Sequence, residues 1–197
     1  MKPEKEVTAH SSRITHNMHA TICDLITDLV QNSIEANAKE ITLNVEETKT
    51  NLKVVIADNG KGMSAETLEK AKDPFWSDGL KHKHRKVGLG LPFLFQTSEM
   101  TGGNAQIESE ESVGTTVAFN LDQTNVDLPM FGNFTTAMIT LLTYGFDGNL
   151  KIERSVDSKS YTVSKQELQE ALGDLNDLES LTLLKQFIET NEEEING

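Results

Sequence analysis

Asp28, Asn32 and Glu35 stand at positions i, i+4 and i+7. On a helix they project from one face, with the first two about 5 to 6 Å apart at Cβ. A carboxylate one turn from an amide suits a hydrated magnesium ion and an attacking water. The amide oxygen of Asn32 can ligate the metal without adding charge, and Asp28 can accept a proton. By itself such a triplet is more often a plain polar helix face. Glycines supply a second kind of site: Gly60 and Gly62 in DNGKGM, Gly88 and Gly90 in KVGLGLPF, and Gly114 in SVGTT are three places where backbone can approach a ligand closely. The Gly88 to Gly90 stretch opens a helix, where free N–H groups and the positive dipole end favour phosphate. It follows KHKHRK, a cationic island in an otherwise acidic chain. Each glycine pair taken singly is ordinary turn chemistry.

The elements that must position these residues follow from hydrophobic period. Ile14, Met18, Ile22, Leu25, Leu29 and Ala36 recur every three or four residues, with Ile26, Val30 and Ile34 widening the stripe. That pattern predicts one long helix over 12–38, capped by Ser11 or Ser12. Ile41, Leu43 and Val45, then Leu52, Val54 and Ile56, alternate with polar residues across the turn ETKTN and predict a hairpin with one buried face. Ser64 caps a short helix, AETLEKAKD. Residues 74–87 read as a loop, and a further helix opens at Gly88-Leu89-Gly90-Leu91-Pro92 and stops at Gly102-Gly103. Strands around 105–108 and 115–121 complete an α/β two-layer sandwich, a mixed sheet with helices on one face. Beyond residue 122 the composition changes. A helix over 134–144, a hairpin over 148–163 and two helices over 165–190 broken near Gly173 form a small C-terminal extension. The expected domains are therefore 1–122 and 123–197.

A chain of 197 residues is long enough to bury a real core. Its 18 basic and 31 acidic side chains give a net charge of −13, which disfavours nucleic acid and anionic membranes as partners. Two lysines against nine acids fall within 164–197; that acidic end reads as a solvated helical face, with docking of a basic partner as the alternative. No apolar run spans a membrane and no signal peptide is evident, so the expectation is a cytoplasmic protein. Cys23 has no partner for an internal disulfide and reads as inert core. The five histidines (His10, His16, His19, His82, His84) lack cysteine partners at zinc spacing.

The order and spacing of these pieces resemble the Bergerat fold of the GHKL ATPases, the family of DNA gyrase, a heat-shock chaperone, histidine kinases and MutL. DLVQNSIEANA resembles the N box, DNGKGM the first glycine box, DPFWS the F box, KVGLGLPF the second glycine box and GTTVAF the third. The resemblance covers residues 20–121. It implies Mg2+ and ATP or ADP as ligands, with Asn32 on magnesium and Asp58 accepting from the adenine amino group. Thr115 would support that aspartate and a bridging water. Gly60, Gly62 and Met63 would lie by the base, Gly88, Leu89 and Gly90 would line the triphosphate, and residues 64–87 would form a lid.

Two departures stand out. Asp28 occupies the place of the glutamate base of gyrase-like and MutL-like members, one methylene shorter, which implies slow hydrolysis. Lys86 stands where histidine kinases have glycine and is a candidate phosphate contact. DPFWS and GLGLPF are most similar to histidine kinase and anti-sigma kinase domains, QNSIEANA to MutL. The segment after 122 resembles the C-terminal extension of small ATP-binding proteins encoded beside NADH-linked iron hydrogenase subunits. Neither flank is expected to hold a complete output domain, so a stand-alone histidine-kinase-like ATP-binding protein is expected, with a protein partner and scope for a homodimer. Two readings stay open: slow ATP hydrolysis or phosphoryl transfer to a partner protein, and a non-hydrolysing nucleotide sensor acting through such a partner.

Overall fold

The computed structural model describes residues 21–72 and 90–197. In chain order the elements are α1 (Ile22–Glu35), β1 (Glu40–Glu47), β2 (Asn51–Asp58), α2 (Ala65–Ala71), α3 (Gly90–Met100), β3 (Asn104–Glu110), β4 (Gly114–Asp122), α4 (Phe134–Leu142), β5 (Asn149–Val156), β6 (Lys159–Ser164), α5 (Lys165–Leu172) and α6 (Leu178–Asn196). The six strands form one mixed sheet in the order β3-β4-β2-β1-β5-β6, in which only the β1–β5 pairing is parallel.

The period-2 pattern places Ile41, Leu43 and Val45 of β1, Leu52, Val54 and Ile56 of β2, Val117, Phe119 and Leu121 of β4, and Leu150 and Ile152 of β5 on one buried face. Polar residues in register, such as Thr42, Asn44 and Glu46, occupy the opposite face and are not buried. Helix α1 lies on the buried face between α3 and α4, and α6 packs beside α4. The two strands after residue 122 therefore extend the same sheet, and α4 and α6 share the core of α1 through Met138, Leu141, Leu184 and Ile188.

The first helix is shorter than its apolar period predicts. It begins at Ile22, because Thr21 has extended backbone and forms a capping box with Asp24: Thr21 Oγ1 accepts from the Asp24 N–H at 3.1 Å, and Asp24 Oδ2 accepts from the Thr21 N–H at 3.0 Å. Two further N–H groups of the first turn, on Ile22 and Cys23, donate to the carbonyls of Met130 and Phe131. Thr21 is thus the cap of α1; Ser11 and Ser12, the expected cap, lie outside the described residues, as do Ile14 and Met18. The helix ends at Glu35 in a Schellman turn. Asn37 takes φ +60°, the Asn37 N–H donates to Ile34 O and the Ala38 N–H to Ser33 O. The carbonyl of Ala36 then accepts from the Lys61 N–H at 2.9 Å, which seats the loop after β2 on the end of α1.

Candidate functional site

Asp58 ends β2 and is held from two elements. The Ser33 hydroxyl of α1 donates to Oδ2 at 2.7 Å, and the Gly60 N–H donates to Oδ1 at 2.8 Å. Ser33 is buried and Asp58 half-buried. A carboxylate accepts about four hydrogen bonds, so two uncharged donors fix its rotamer and leave acceptor capacity over. Beside it, Asn59 Oδ1 accepts from the Lys39 and Glu40 N–H groups at 2.8 and 2.9 Å, tying the loop to the start of β1.

Gly60, Gly62 and Gly114 are required by the chain's own backbone. Gly62 has φ +60°, and a Cβ there would collide with the carbonyl of Glu110. Gly114 has φ +144°, and a Cβ there would collide with the carbonyl of Asp58. The β3–β4 turn is thereby pressed onto the loop after β2, and the Ser112 N–H donates to Lys61 O at 2.7 Å. A Cβ on Gly60 would lie 2.9 Å from Ala36 Cβ and from Asp58 Oδ1.

Thr115 faces Asp58 in the β2–β4 register, and its Oγ1 lies 2.8 Å from Ser109 Oγ of β3. Ser109 Oγ also accepts from the Met63 N–H at 2.9 Å and lies 3.0 Å from Gly114 O. Asp28 and Asn32 are half-buried on α1, one turn apart. The first residue of α3 closes on them: a Cβ on Gly90 would overlap the Asp28 carboxylate and come within 3.7 Å of Asn32 Nδ2. The structure thus brings Asp28 and Asn32, at the middle and in the last turn of α1, together with Gly90, and gathers Asp58, Gly60, Gly62, Met63 and Thr115 around the loop seated on the end of the same helix. Lys86, Gly88 and Leu89, the DPFWS box and the five histidines lie outside the described residues. Among the described residues no group of three or more His, Cys, Asp or Glu is placed to hold a metal.

Two residues at this site were missed in the sequence, and both carried a sign. Ser33 continues the apolar stripe of Leu25, Ile26, Leu29 and Val30, and Ser109 shares the inward side of β3 with Ala105 and Ile107. A small hydroxyl at an inward position needs a buried partner.

Residues 19–125, more than half of the chain, match the family model of the histidine kinase-, DNA gyrase B- and HSP90-like ATPases. The chain belongs to this ATPase family. Among curated proteins it is 31% identical over 100 residues to the histidine protein kinase DivJ of Caulobacter vibrioides, a match covering 49% of this chain and 17% of that protein. It is 32% identical over 89 residues to sporulation kinase C of Bacillus subtilis, covering 44% of this chain and 20% of that one. The matched part thus spans about a fifth of the length of these relatives. A solved N-terminal domain of a DNA repair protein aligns with a TM-score of 0.51 at 17% identity, over 80% of this chain and 58% of that one, which supports the fold. The ATPase domain is of the histidine-kinase, ATP-binding type that the boxes predict. Its family match ends at residue 125, in the loop between β4 and α4; β5, β6, α5 and α6 follow it on the same sheet. No helix among the described residues is long and apolar enough to cross a membrane.

Proposed function

We infer that this chain binds Mg·ATP at the α1–β2 site and carries out slow phosphoryl transfer, to water or to a side chain of a partner protein. The observation that carries the reading is the Asp58 carboxylate, fixed by Ser33 and Gly60 with acceptor capacity left for an exocyclic amine. Adenine offers that donor at C6. Gly60, Gly62 and Met63 form the floor beside the base, and Thr115 supports it from β4.

At the other end of the site the donor set suits magnesium. The amide oxygen of Asn32 is a hard, uncharged oxygen ligand, and the Asp28 carboxylate lies one turn away, packed against Gly90 at a helix start. Asn32 would hold the ion, whose contribution is to neutralise charge on the β- and γ-phosphates. Gly88, Leu89 and Gly90 would present backbone N–H groups to the phosphates, and Lys86 a cation. Asp28 is the group in reach to accept a proton from the attacking hydroxyl or water. Turnover is preferred over a sensor without chemistry because carboxylate, amide and helix start converge at one point.

Isothermal titration with Mg·ATP and Mg·ADP, followed by phosphate release over hours, tests this. Binding with measurable release is expected. Asp58→Ala removes an acceptor worth about 1.5 to 3 kcal/mol and weakens ATP binding by about ten- to a hundredfold. Unchanged ATP affinity in that variant overturns the assignment.

A further inference from the structure

Helix α6 buries one stripe and leaves apolar side chains on another. Ser180, Leu184, Ile188 and Ile195 are buried where the helix packs on α4, α5 and the outer strands. Leu178, Leu183 and Phe187 stay 83%, 46% and 42% exposed, so this helix carries three of the seven large hydrophobic side chains exposed among the described residues. Apolar side chains scattered singly over a surface are ordinary. Leu183 and Phe187 are not scattered: four residues apart, they are neighbours on one face, about 5 to 6 Å apart at Cβ. Glu179 stands one turn before Leu183 and Glu194 two turns after Phe187, so the stripe reads Glu-Leu-Phe-Glu over about 22 Å of helix.

The fold leaves the carboxylates around this pair uncompensated. Lys185, the sole cation of α6, lies 3.6 Å from Glu189, and Glu192 turns inward to Tyr161 and Arg154. The Lys159 ammonium donates to the backbone carbonyl of Glu194. Among the described residues no ion pair involves the side chains of Glu179, Glu193 or Glu194. An apolar pair set between such carboxylates selects what can cover it. In an antiparallel pairing of two α6 helices centred on Leu183 and Phe187, Glu179 falls opposite Asn191, within one turn of Glu193 and Glu194. In a parallel pairing each glutamate meets its counterpart, so a second copy of this chain is opposed either way. An anionic membrane is repelled by the same groups. We propose that this face of α6 docks a partner protein through a basic amphipathic helix, with apolar residues at its centre and Lys or Arg one to two turns to either side. Apolar contact would supply most of the affinity, and the flanking charges the orientation and the rate of encounter. The proposal does not depend on the reading of the α1–β2 site, and its test leaves nucleotide out.

The probe is a fluorescein-labelled synthetic peptide of leucine and lysine, patterned as an amphipathic helix and titrated by anisotropy against the full, nucleotide-free chain. Saturable binding that weakens with added salt is expected. Leu183→Ser combined with Phe187→Ser is expected to weaken it about tenfold or more, with urea denaturation as the check on folding. Glu179→Gln, Glu193→Gln and Glu194→Gln together keep the apolar pair and alter exposed side chains alone, so they test the surface even if the serine variant unfolds. Their expected effect is a loss of about tenfold at low salt and a flatter salt dependence. Val126→Ser with Met130→Ser, exposed apolar side chains of the β4–α4 loop, is expected to leave binding unchanged. No saturable binding, binding unaltered by both α6 variants, or equal binding of a peptide with glutamate in place of lysine overturns the proposal. So does a dimer of the parent chain in sedimentation that becomes a monomer in the Leu183/Phe187 variant, which assigns the face to a second copy. Flotation of the parent chain with phosphatidylcholine vesicles, lost in that variant, assigns it to a membrane and overturns the proposal as well.

Discussion

Two polar clusters flank α1, and they are built on opposite principles. At the C-terminal end, Asp58 is half-buried and held, among the described residues, by an uncharged hydroxyl and a backbone N–H. Near the N-terminal end lies Arg154 of β5, 1% exposed and surrounded by fixed partners. It pairs with Glu47 of β1 and lies 3.5 Å from Glu192 of α6, with its guanidinium 5.0 Å from the ring centres of both Phe131 and Phe134. Glu192 in turn accepts from the Tyr161 hydroxyl at 2.7 Å, and burial together with that carboxylate pushes the phenol well above its usual range. The Arg154 cluster uses its charge internally, joining sheet, α6 and the aromatic segment that leads into α4. The Asp58 cluster orients a charge and leaves it for something else to use. Charge paired within the fold braces the structure, and a charge that is oriented with acceptor capacity to spare is available to a ligand.

The comparison predicts opposite consequences for removing each charge. Arg154→Ala strips the counter-ion from two partly buried carboxylates and leaves a cavity beside two phenyl rings. A loss of about 3 to 5 kcal/mol is expected from breaking such a pair, a large share of the 5 to 15 kcal/mol that holds a typical domain. Urea denaturation should show it, while the fraction that remains folded binds ATP as before. A parallel loss of ATP affinity in folded Arg154→Ala would break the separation between the two ends.

A smaller effect is expected at Asp28. Its carboxylate lies tight against the first residue of α3, filling the space that a side chain at Gly90 would take. Lengthening it by one methylene in Asp28→Glu advances the base by about 1 Å, a distance that can change a rate on the order of a hundredfold when geometry limits the reaction. Faster steady-state phosphate release is expected, with ATP affinity little changed. An unaltered rate would show that Asp28 does not act on water.

Most of the sheet and the family boxes were legible because their information is local. Alternation in β1 and β2, the Ser64 cap of α2 and the helix break at Gly173 are all written in neighbouring residues. The start of α1 was read too early because an apolar period continues through Ile14 and Met18, and period does not report where a helix is cut. The Thr21–Asp24 capping box does, and its signature is present in TICD. The parallel pairing of β1 with β5 was not legible at all, since it joins Glu40–Glu47 to Asn149–Val156 across roughly a hundred residues. The same distance hid the Arg154–Glu47 pair. In the candidate site, the boxes singled out Asp58 and Asn32, whereas Ser33 and Ser109 needed the register that brings them to Asp58, Met63 and Thr115.

The mildest test concerns Cys23, which sits in α1 close to the Arg154 cluster. Burial pushes its thiol up to about 12 from an ordinary value of 9.0; Arg154 pulls the other way, and Asp24, Glu192 and Glu47 add to the rise. A folded-state value above the unfolded one means that the folded chain holds this proton longer. The stability it contributes is complete below pH 9 and is lost progressively as pH rises from 9 towards 12, because only the unfolded thiol ionises in that window. Cys23→Ala removes the group from the titration, so the decline in stability between pH 9 and 10.5, followed by urea midpoint, is expected to be shallower than in the parent chain. At pH 8 a thiol reagent should label Cys23 only at the rate at which the chain opens, and faster in Arg154→Ala as stability falls. Rapid labelling of the parent chain at pH 8 would mean that the N-terminal end of α1 opens readily, and the contrast between a closed structural end and an open functional end would then fail at its closed side.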